Sequence, residues 1–422
     1  MMTDGLLTVA QSPEDILRVT QHLRHNLDTS TPLPLDALFN VLEAWSSVLG
    51  GAAYKNIDGL PFLRLWLRRN TLQPIIVREL GEAVMADGWA LIGKAFFKAF
   101  PVGIVGHWPA GNIQIQPFLS LICTLLGGNS CLVRIPTGIV DEARLLCRAL
   151  KEADVDGRVS SRVALVSFGS EQRECHEAMA RNVDGAMIWG GEEAVLNVRS
   201  LPFPHWAKLA VFGPRVSVAM FDAGVCEDDQ IRAAWCRRLT RDVWQFDQQA
   251  CSSPQVLFVE TSSGAIIQSL LDDLKRAFEE ENRAHPRTMI EPALTSMIVN
   301  ARAMWVMGND GRTASYPIGP CWTLLTGPFE GRLPEPIQGR TLYVLQVENL
   351  EDAIACLDGN VQTLGVGMVD TAKELALANL AGRRGLDRIV KIGRMHAFDS
   401  PWDGQELIKP MVRLVRHLPV SN

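Results

Sequence analysis

The stretch VGIVGHWPAGNIQIQPFLSLICTLLGGNSCLVRIP, residues 102–136, decides the fold. From Pro101 to Val133 it carries no Asp, Glu, Lys or Arg, so a hydropathy window would flag it as a membrane span. Pro109, Asn112, Gln114, Gln116, Pro117 and the Gly127-Gly128-Asn129 break divide the run. The longest helix they allow, residues 115–126, falls short of the ~20 residues a bilayer needs. What remains is a buried strand (VGIVGHW), a turn (PAGN), a buried helix (IQPFLSLICTLL) and a second strand (SCLVRIP). A strand covered on both faces loses its polar alternation, which accounts for the missing charges.

The same alternation continues downstream. A charged amphipathic helix, VDEARLLCRALKEA, is followed by the strands RVALVSF and DGAMIWG, each leading into helix-compatible sequence. Repeated βαβ units predict an α/β fold with a mainly parallel, doubly wound sheet. A second lobe is expected from about Cys226. It opens with the helix EDDQIRAAWCRRLTRDVWQF and has strands at PQVLFVE, CWTLL, RTLYVLQV and TLGVGMV, with helices at NLEDAIACL and TAKELALANLA. Upstream, LPLDALFNVLEAWSSVL and LPFLRLWLRRNTLQPIIVRELG space their apolar residues by three to four, so the first hundred residues read as mainly helical. The expected division is a helical region at 1–100 packed on a 101–225 lobe, a 226–399 lobe and a 400–422 tail.

Composition narrows the function. The chain has 422 residues, 47% of them hydrophobic, enough for a sizeable core in two or three lobes. A formal charge of -6 gives no electrostatic case for nucleic acid as a partner. The basic residues near the end (Arg383, Arg384, Arg388, Lys391, Arg394, Lys409, Arg413, Arg416) read as a solvated face. The nine cysteines are odd in number and show neither C-x-x-C nor zinc-ligand spacing, so no metal site is expected. Asp4, Glu14 and Asp15 interrupt the start, unlike a secretory signal. Together these features point to a cytoplasmic protein with free thiols.

Four places can carry chemistry. Cys251, in DQQACSSPQ, lies on a connection between a helix and a strand, flanked by the small polar Ser252 and Ser253. Connections on a rigid scaffold are where catalytic groups concentrate, whereas Cys123 and Cys356 sit on apolar helix faces. Asn112, in the PAGN turn, suits either a helix N-cap or an amide aimed at a developing oxyanion. In MIWGGEEAV, Gly190 and Gly191 open a helix after a strand and let backbone approach a phosphate, although the full G-x-G-x-x-G is absent. Arg134 ends a strand, at the sheet edge where open α/β folds bind ligands or where a plain surface arginine could stand.

Taken together, ACSSPQ, PAGN, WGGEEAV, FGPRVS and WDG resemble the aldehyde dehydrogenase superfamily, in closer detail its LuxC-type acyl-CoA reductase branch, from about Phe100 to Arg416. The resemblance implies two Rossmann-like lobes with a C-terminal oligomerisation tail, hence a homodimer or homotetramer. It implies that Cys251 becomes acylated and that Asn112 forms the oxyanion hole with that cysteine's backbone N–H. Arg134 falls where the superfamily has a lysine beside the adenosine ribose, Gly190 and Gly191 near the pyrophosphate, and Gly169 by the adenine. Trp108 and Gly111 match the cofactor turn, Gly213 the crossing beneath the nicotinamide, and Glu335 a glutamate on the nicotinamide ribose. The oxidising enzymes carry a glutamate base for water near the start of AVFGPRVS; here that position is Val211, or Phe212 in the adjacent register.

The resemblance therefore implies reduction of an acyl thioester, on coenzyme A or a carrier, to the aldehyde through acyl-Cys251. Aldehyde oxidation, acyl-phosphate reduction and a non-catalytic role beside an acyl-activating or acyl-transfer protein are the alternatives. The cofactor expected is NADPH, with NADH possible, because no carboxylate follows Arg134 within Arg134-Ile135-Pro136-Thr137. His107 and His176 are open as bases for Cys251 or as structural histidines.

Overall fold

A computed structural model describes residues 3–4, 6–29, 31–81, 88–287, 290–308 and 311–418. The chain divides into two compact units, 1–213 with 398–422, and 214–397.

The first unit is built on a seven-stranded sheet. Its order is Thr3–Asp4, Leu7–Val9, Val163–Ser167, Ser130–Ile135, Ile104–Trp108, Gly185–Trp189 and Lys208–Phe212, parallel except for the first pair. Strand Ile104–Trp108 starts near the middle. The chain winds outward through 130–135 and 163–167, then returns to 185–189 on the other side. The strand order thus reverses between 104–108 and 185–189, the kind of point where open α/β sheets hold ligands outside their carboxyl ends.

The charge-free run is a buried strand and a buried helix, Gln116–Leu126, as its composition requires. One glycine there is obligatory. Gly103 has φ +137°, and a Cβ would lie 2.1 Å from the Asp184 carboxylate. That carboxylate accepts from the Ile104 amide at 2.8 Å and the Arg24 guanidinium at 2.7 Å, tying the first strand to the turn ahead of 185–189. No described helix is long and apolar enough to cross a membrane.

The first hundred residues are mainly helical but also supply strands at Leu7–Val9, Ala90–Ile92 and Ala95–Pro101. The last two join Val412–His417 in a three-stranded antiparallel sheet. The end of the chain is anchored by buried Glu79, on the helix Arg69–Leu80. Its carboxylate accepts the amides of Leu407, Ile408 and Lys409 at 2.9, 2.7 and 2.8 Å, and the Ser400 hydroxyl.

The second unit carries its own seven-stranded sheet, ordered Thr313–Ser315, Thr323–Pro328, Thr341–Val347, Pro254–Glu260, Val216–Phe221, Val361–Gly367 and Arg388–Lys391. All pairs are parallel except the first. Strand Val216–Phe221 precedes the boundary near Cys226 read from the sequence and lies in this unit, because it pairs with both 254–260 and 361–367. Its alternate side chains face opposite layers. Ala219 and Phe221 pack with Leu239, Leu270 and Phe278 of the long helices, while Val218 and Met220 pack with Ile354 and Leu377. Both faces are therefore covered, as parallel sheets require.

Candidate active site

In the first unit, the residues singled out from the sequence gather at one sheet edge. Trp108, Arg134, Gly169, Gly190, Gly191 and Gly213 lie at or just beyond the carboxyl ends of five parallel strands, with Gly111 and Asn112 in the turn after the first. The helix that follows this turn begins at Gln116, and its N-cap is Ile115 without a side-chain cap. Asn112 is thus not the N-cap; it is exposed in the turn at the strand-reversal point.

Gly190 has φ +156° and donates to the Phe212 carbonyl at 3.2 Å. Gly191 caps the helix Glu192–Arg199, and a Cβ there would meet open space. Arg134 donates to the Phe168 carbonyl at 3.2 Å, with its guanidinium 5.7 Å from the Phe168 ring. Its Nε is buried with no hydrogen-bond partner among the described residues. Burial pulls this guanidinium below its ordinary range, and the nearby Glu171 carboxylate opposes the pull. Glu171 folds over Gly169, where a Cβ would lie 2.0 Å from its Oε1. An unpaired cationic donor, a bare helix start and a strand-order reversal on one edge fit a dinucleotide.

Trp108 is placed differently from a cofactor-lining side chain. Its indole is 3% exposed, packs in the core and donates to His176 Nδ1 at 3.0 Å. His176 is pushed down to about 4, chiefly by burial. His107 is wholly buried against the hydroxyls of Ser120 (2.8 Å) and Thr124 (3.1 Å), and burial lowers it to about 3. Both are neutral packing histidines.

At the position where the resemblance expects a base, the side chains are apolar. Val211 lies against the apolar core, and Phe212, 2% exposed, stacks on Trp189 with centroids 3.8 Å apart. Neither can accept a proton.

In the second unit, Cys251 stands at the amino edge of the sheet, in the turn that feeds Pro254–Glu260. Glu335 is exposed in the loop before Thr341–Val347, and its carbonyl accepts from the Tyr343 hydroxyl at 3.3 Å. At the opposite edge, buried Asp222 accepts the amides of Val225 (2.8 Å), Val369 (3.0 Å) and Asp370 (3.4 Å) between strands 216–221 and 361–367.

Cys251 is half-buried. Burial pushes the thiols of Cys131, Cys147 and Cys226 up to about 12 and raises those of Cys123, Cys175 and Cys236, so these six are poor nucleophiles. The turn around Cys251 is held at several points. The Ser217 hydroxyl donates to the Cys251 carbonyl at 2.6 Å. Buried Gln248 donates to the Pro254 and Thr341 carbonyls, both at 2.8 Å, and accepts the Thr341 amide at 2.7 Å. Ser252 Oγ lies 2.9 Å from His396 Nδ1. Gln248 and His396 were not legible as site residues. The histidine lies 145 positions from the cysteine, on a segment with no motif of its own.

Comparison with known proteins agrees with this architecture. The aldehyde dehydrogenase of Bacillus cereus, solved as an NAD+ complex, aligns with a TM-score of 0.66 over 96% of this chain and 89% of that one at 13% identity. A proline utilization A mutant of Bradyrhizobium japonicum aligns with a TM-score of 0.72 at 14% identity over 98% of this chain, which spans just under half (46%) of that longer protein. These likenesses show the aldehyde dehydrogenase fold. In sequence, a long-chain acyl-protein thioester reductase of Photorhabdus luminescens is 26% identical over 367 residues, covering 82% of this chain and 70% of the relative. Residues 49–416 match the model of the acyl-CoA reductase (LuxC) family, and the chain belongs to that family.

Proposed function

We propose that the protein reduces an acyl thioester to the corresponding aldehyde through a covalent acyl-Cys251 intermediate, with NADPH as the reductant. The observation that carries this reading is a half-buried thiol on a turn clamped from both sides; apolar Val211, or Phe212 in the adjacent register, where the resemblance expects a base, supports it.

The Cys251 thiolate attacks the carbonyl carbon, and a carbon–sulfur bond forms. The resulting oxyanion is assigned to the Asn112 amide and the Cys251 backbone N–H, donors of a kind worth about 3 kcal/mol each. Collapse breaks the bond to the departing thiol, of coenzyme A or of a carrier, which leaves as thiolate and takes up a proton. The acyl group then waits on sulfur, because no side chain at 211 or 212 can deprotonate water. Reduced nicotinamide, when bound, would supply the hydride, two electrons, by which the acyl thioester becomes the thiohemiacetal alkoxide. Collapse of that alkoxide breaks the carbon–sulfur bond, releases the aldehyde and returns the Cys251 thiolate.

Arg134, Gly169, Gly190 and Gly191 would hold the adenosine and pyrophosphate, and Gly111, Gly213 and Glu335 the remainder, with Trp108 supporting the turn from beneath. Arg134 favours a 2′-phosphate. The Photorhabdus relative is named for an acyl group carried on protein, which supports a protein thiol as donor besides coenzyme A. Exposed Leu91, Leu414 and Leu418, on and beside the three-stranded sheet, support a subunit contact there.

The test is mass spectrometry after mixing the protein with tetradecanoyl-CoA in the absence of reductant. One acyl group is expected on Cys251, and none on Cys251→Ala, which also loses thioester-dependent NADPH oxidation while remaining folded. Full turnover by Cys251→Ala would overturn the reading.

A further inference from the structure

His396 lies in the second unit, past the last strand of its sheet, and is 6% exposed. Its Nε2 is 2.7 Å from the carbonyl oxygen of Asp242, an atom that only accepts, so this nitrogen carries the proton. Nδ1 therefore has a lone pair, and Ser252 Oγ, 2.9 Å away and itself 3% exposed, must donate to it. Phe246 closes one side of the ring edge-on, with centroids 5.4 Å apart. Asp242 is anchored in turn, its carboxylate accepting the Gly393 amide at 2.5 Å. The chain Gly393, Asp242, His396, Ser252 thus runs from the end of the sheet to the residue next to the nucleophile. Cys251 sits between two fixed points, since its own carbonyl is held by Ser217 and the next side chain by His396.

We propose that His396 is a positioning residue for acyl transfer. As a neutral imidazole it holds the Ser252 hydroxyl, and through it the peptide on which Cys251 and its backbone N–H are presented to the acyl carbon. The proposal rests on Cys251 being the nucleophile. It assigns no proton transfer to the histidine, whose two nitrogens are both engaged. Alanine leaves both Ser252 and the Asp242 carbonyl without their partner, whereas glutamine carries one acceptor and one donor on a single amide.

The experiment compares wild type with Ser252→Ala, His396→Ala, the double variant and His396→Gln. Two rates are measured on samples matched for folded fraction, namely acyl-adduct formation on Cys251 from tetradecanoyl-CoA and alkylation of Cys251 by iodoacetamide. Loss of positioning should slow adduct formation roughly ten- to a hundredfold, without raising the half-saturating thioester concentration in proportion. Because the two residues act through one hydrogen bond, the double variant should be no slower than the worse single one. His396→Gln should recover part of the rate. Adduct formation at the wild-type rate in both single variants would overturn the proposal, as would effects that multiply in the double variant. Absence of an adduct in wild type would instead defeat the nucleophile assignment. In that case alkylation rates unchanged across the series would still overturn the positioning role, and rates slowed equally in the single and double variants would still support it.

Discussion

Cys251 and Glu171 show how little of a residue's chemistry follows from its identity. Nine cysteines share one side chain, yet six are sealed in cores that push their thiols upward, and Cys251 stands half-buried on a turn. The proposed preference for NADPH rests on Arg134 being followed by Ile135-Pro136-Thr137, with no carboxylate among them. The fold then brings Glu171 in from the connection after the 163–167 strand, close enough to act on Arg134. A carboxylate there would weaken the preference for a phosphorylated ribose. Glu171→Gln should therefore raise the ratio of NADPH to NADH affinity about two- to tenfold, a range set by the weakness of exposed charge interactions. Calorimetric titration of both cofactors measures it. An unchanged ratio would place Glu171 outside the ribose site.

At the scale of elements, the connection into the Cys251 turn carries unusual backbone. Phe246, Asp247 and Gln248 have φ of 55°, 52° and 62°, three consecutive non-glycine residues in the left-handed region. Such residues cost of order 1 kcal/mol or more each and persist only where their surroundings over-determine them. Here those surroundings are visible. Arg287 and Arg340 both donate to the Asp247 carboxylate, at 2.5 and 2.8 Å, and Arg340 lies over the Trp244 ring at 4.4 Å. Gln248 makes its three buried hydrogen bonds to flanking strands. Gln248→Ala keeps the strained backbone and orphans those partners, so it should destabilise by about 2–4 kcal/mol. Gln248→Gly loses the same bonds but relieves the backbone, and should cost about 1 kcal/mol less. Denaturant midpoints of the two variants check the order, and alanine equal to or milder than glycine would contradict the strain argument.

At the scale of the whole molecule, stability should depend on pH through three histidines, among them His176 at about 4, and one carboxylate. His107 and His396 are lowered by burial to about 3 and about 4, and Arg388 further disfavours a charge on His396. Their stabilisation is complete above the unfolded pKa near 6.5 and is lost as pH falls toward the folded values. Between pH 6.5 and 4 the unfolded chain binds the extra protons, and each histidine contributes up to about 1.4 kcal/mol per pH unit. Asp242 has the opposite sign. Burial raises it to about 7, so its contribution is present below pH 4 and is lost as pH rises toward 7. Three histidines against one carboxylate leave a net loss on acidification, and the melting temperature should fall from pH 6.5 to 5. His396→Gln should flatten that slope, and an unaltered slope would assign it to other groups.

The alternation of charge-free strand, glycine turn and helix from residue 102 onward is written in local sequence. The doubly wound fold, the sheet edge bearing Arg134, Gly190 and Gly191, and the turn bearing Cys251 could all be read there, because hydrophobic period and turn chemistry act over a few residues. Tertiary structure alone decided what depends on distant partners. The strand 412–417 exists by pairing with 95–101, more than 300 positions earlier, and no periodicity of its own announces it. Asn112 lost its capping role once the helix began four residues later, at Gln116. His396 became part of the cysteine turn only when folding brought Nδ1 to the Ser252 hydroxyl. Local propensity sets the form of each segment, but a hydrogen bond between residues 144 positions apart is defined only when the packed layers fix where both ends lie.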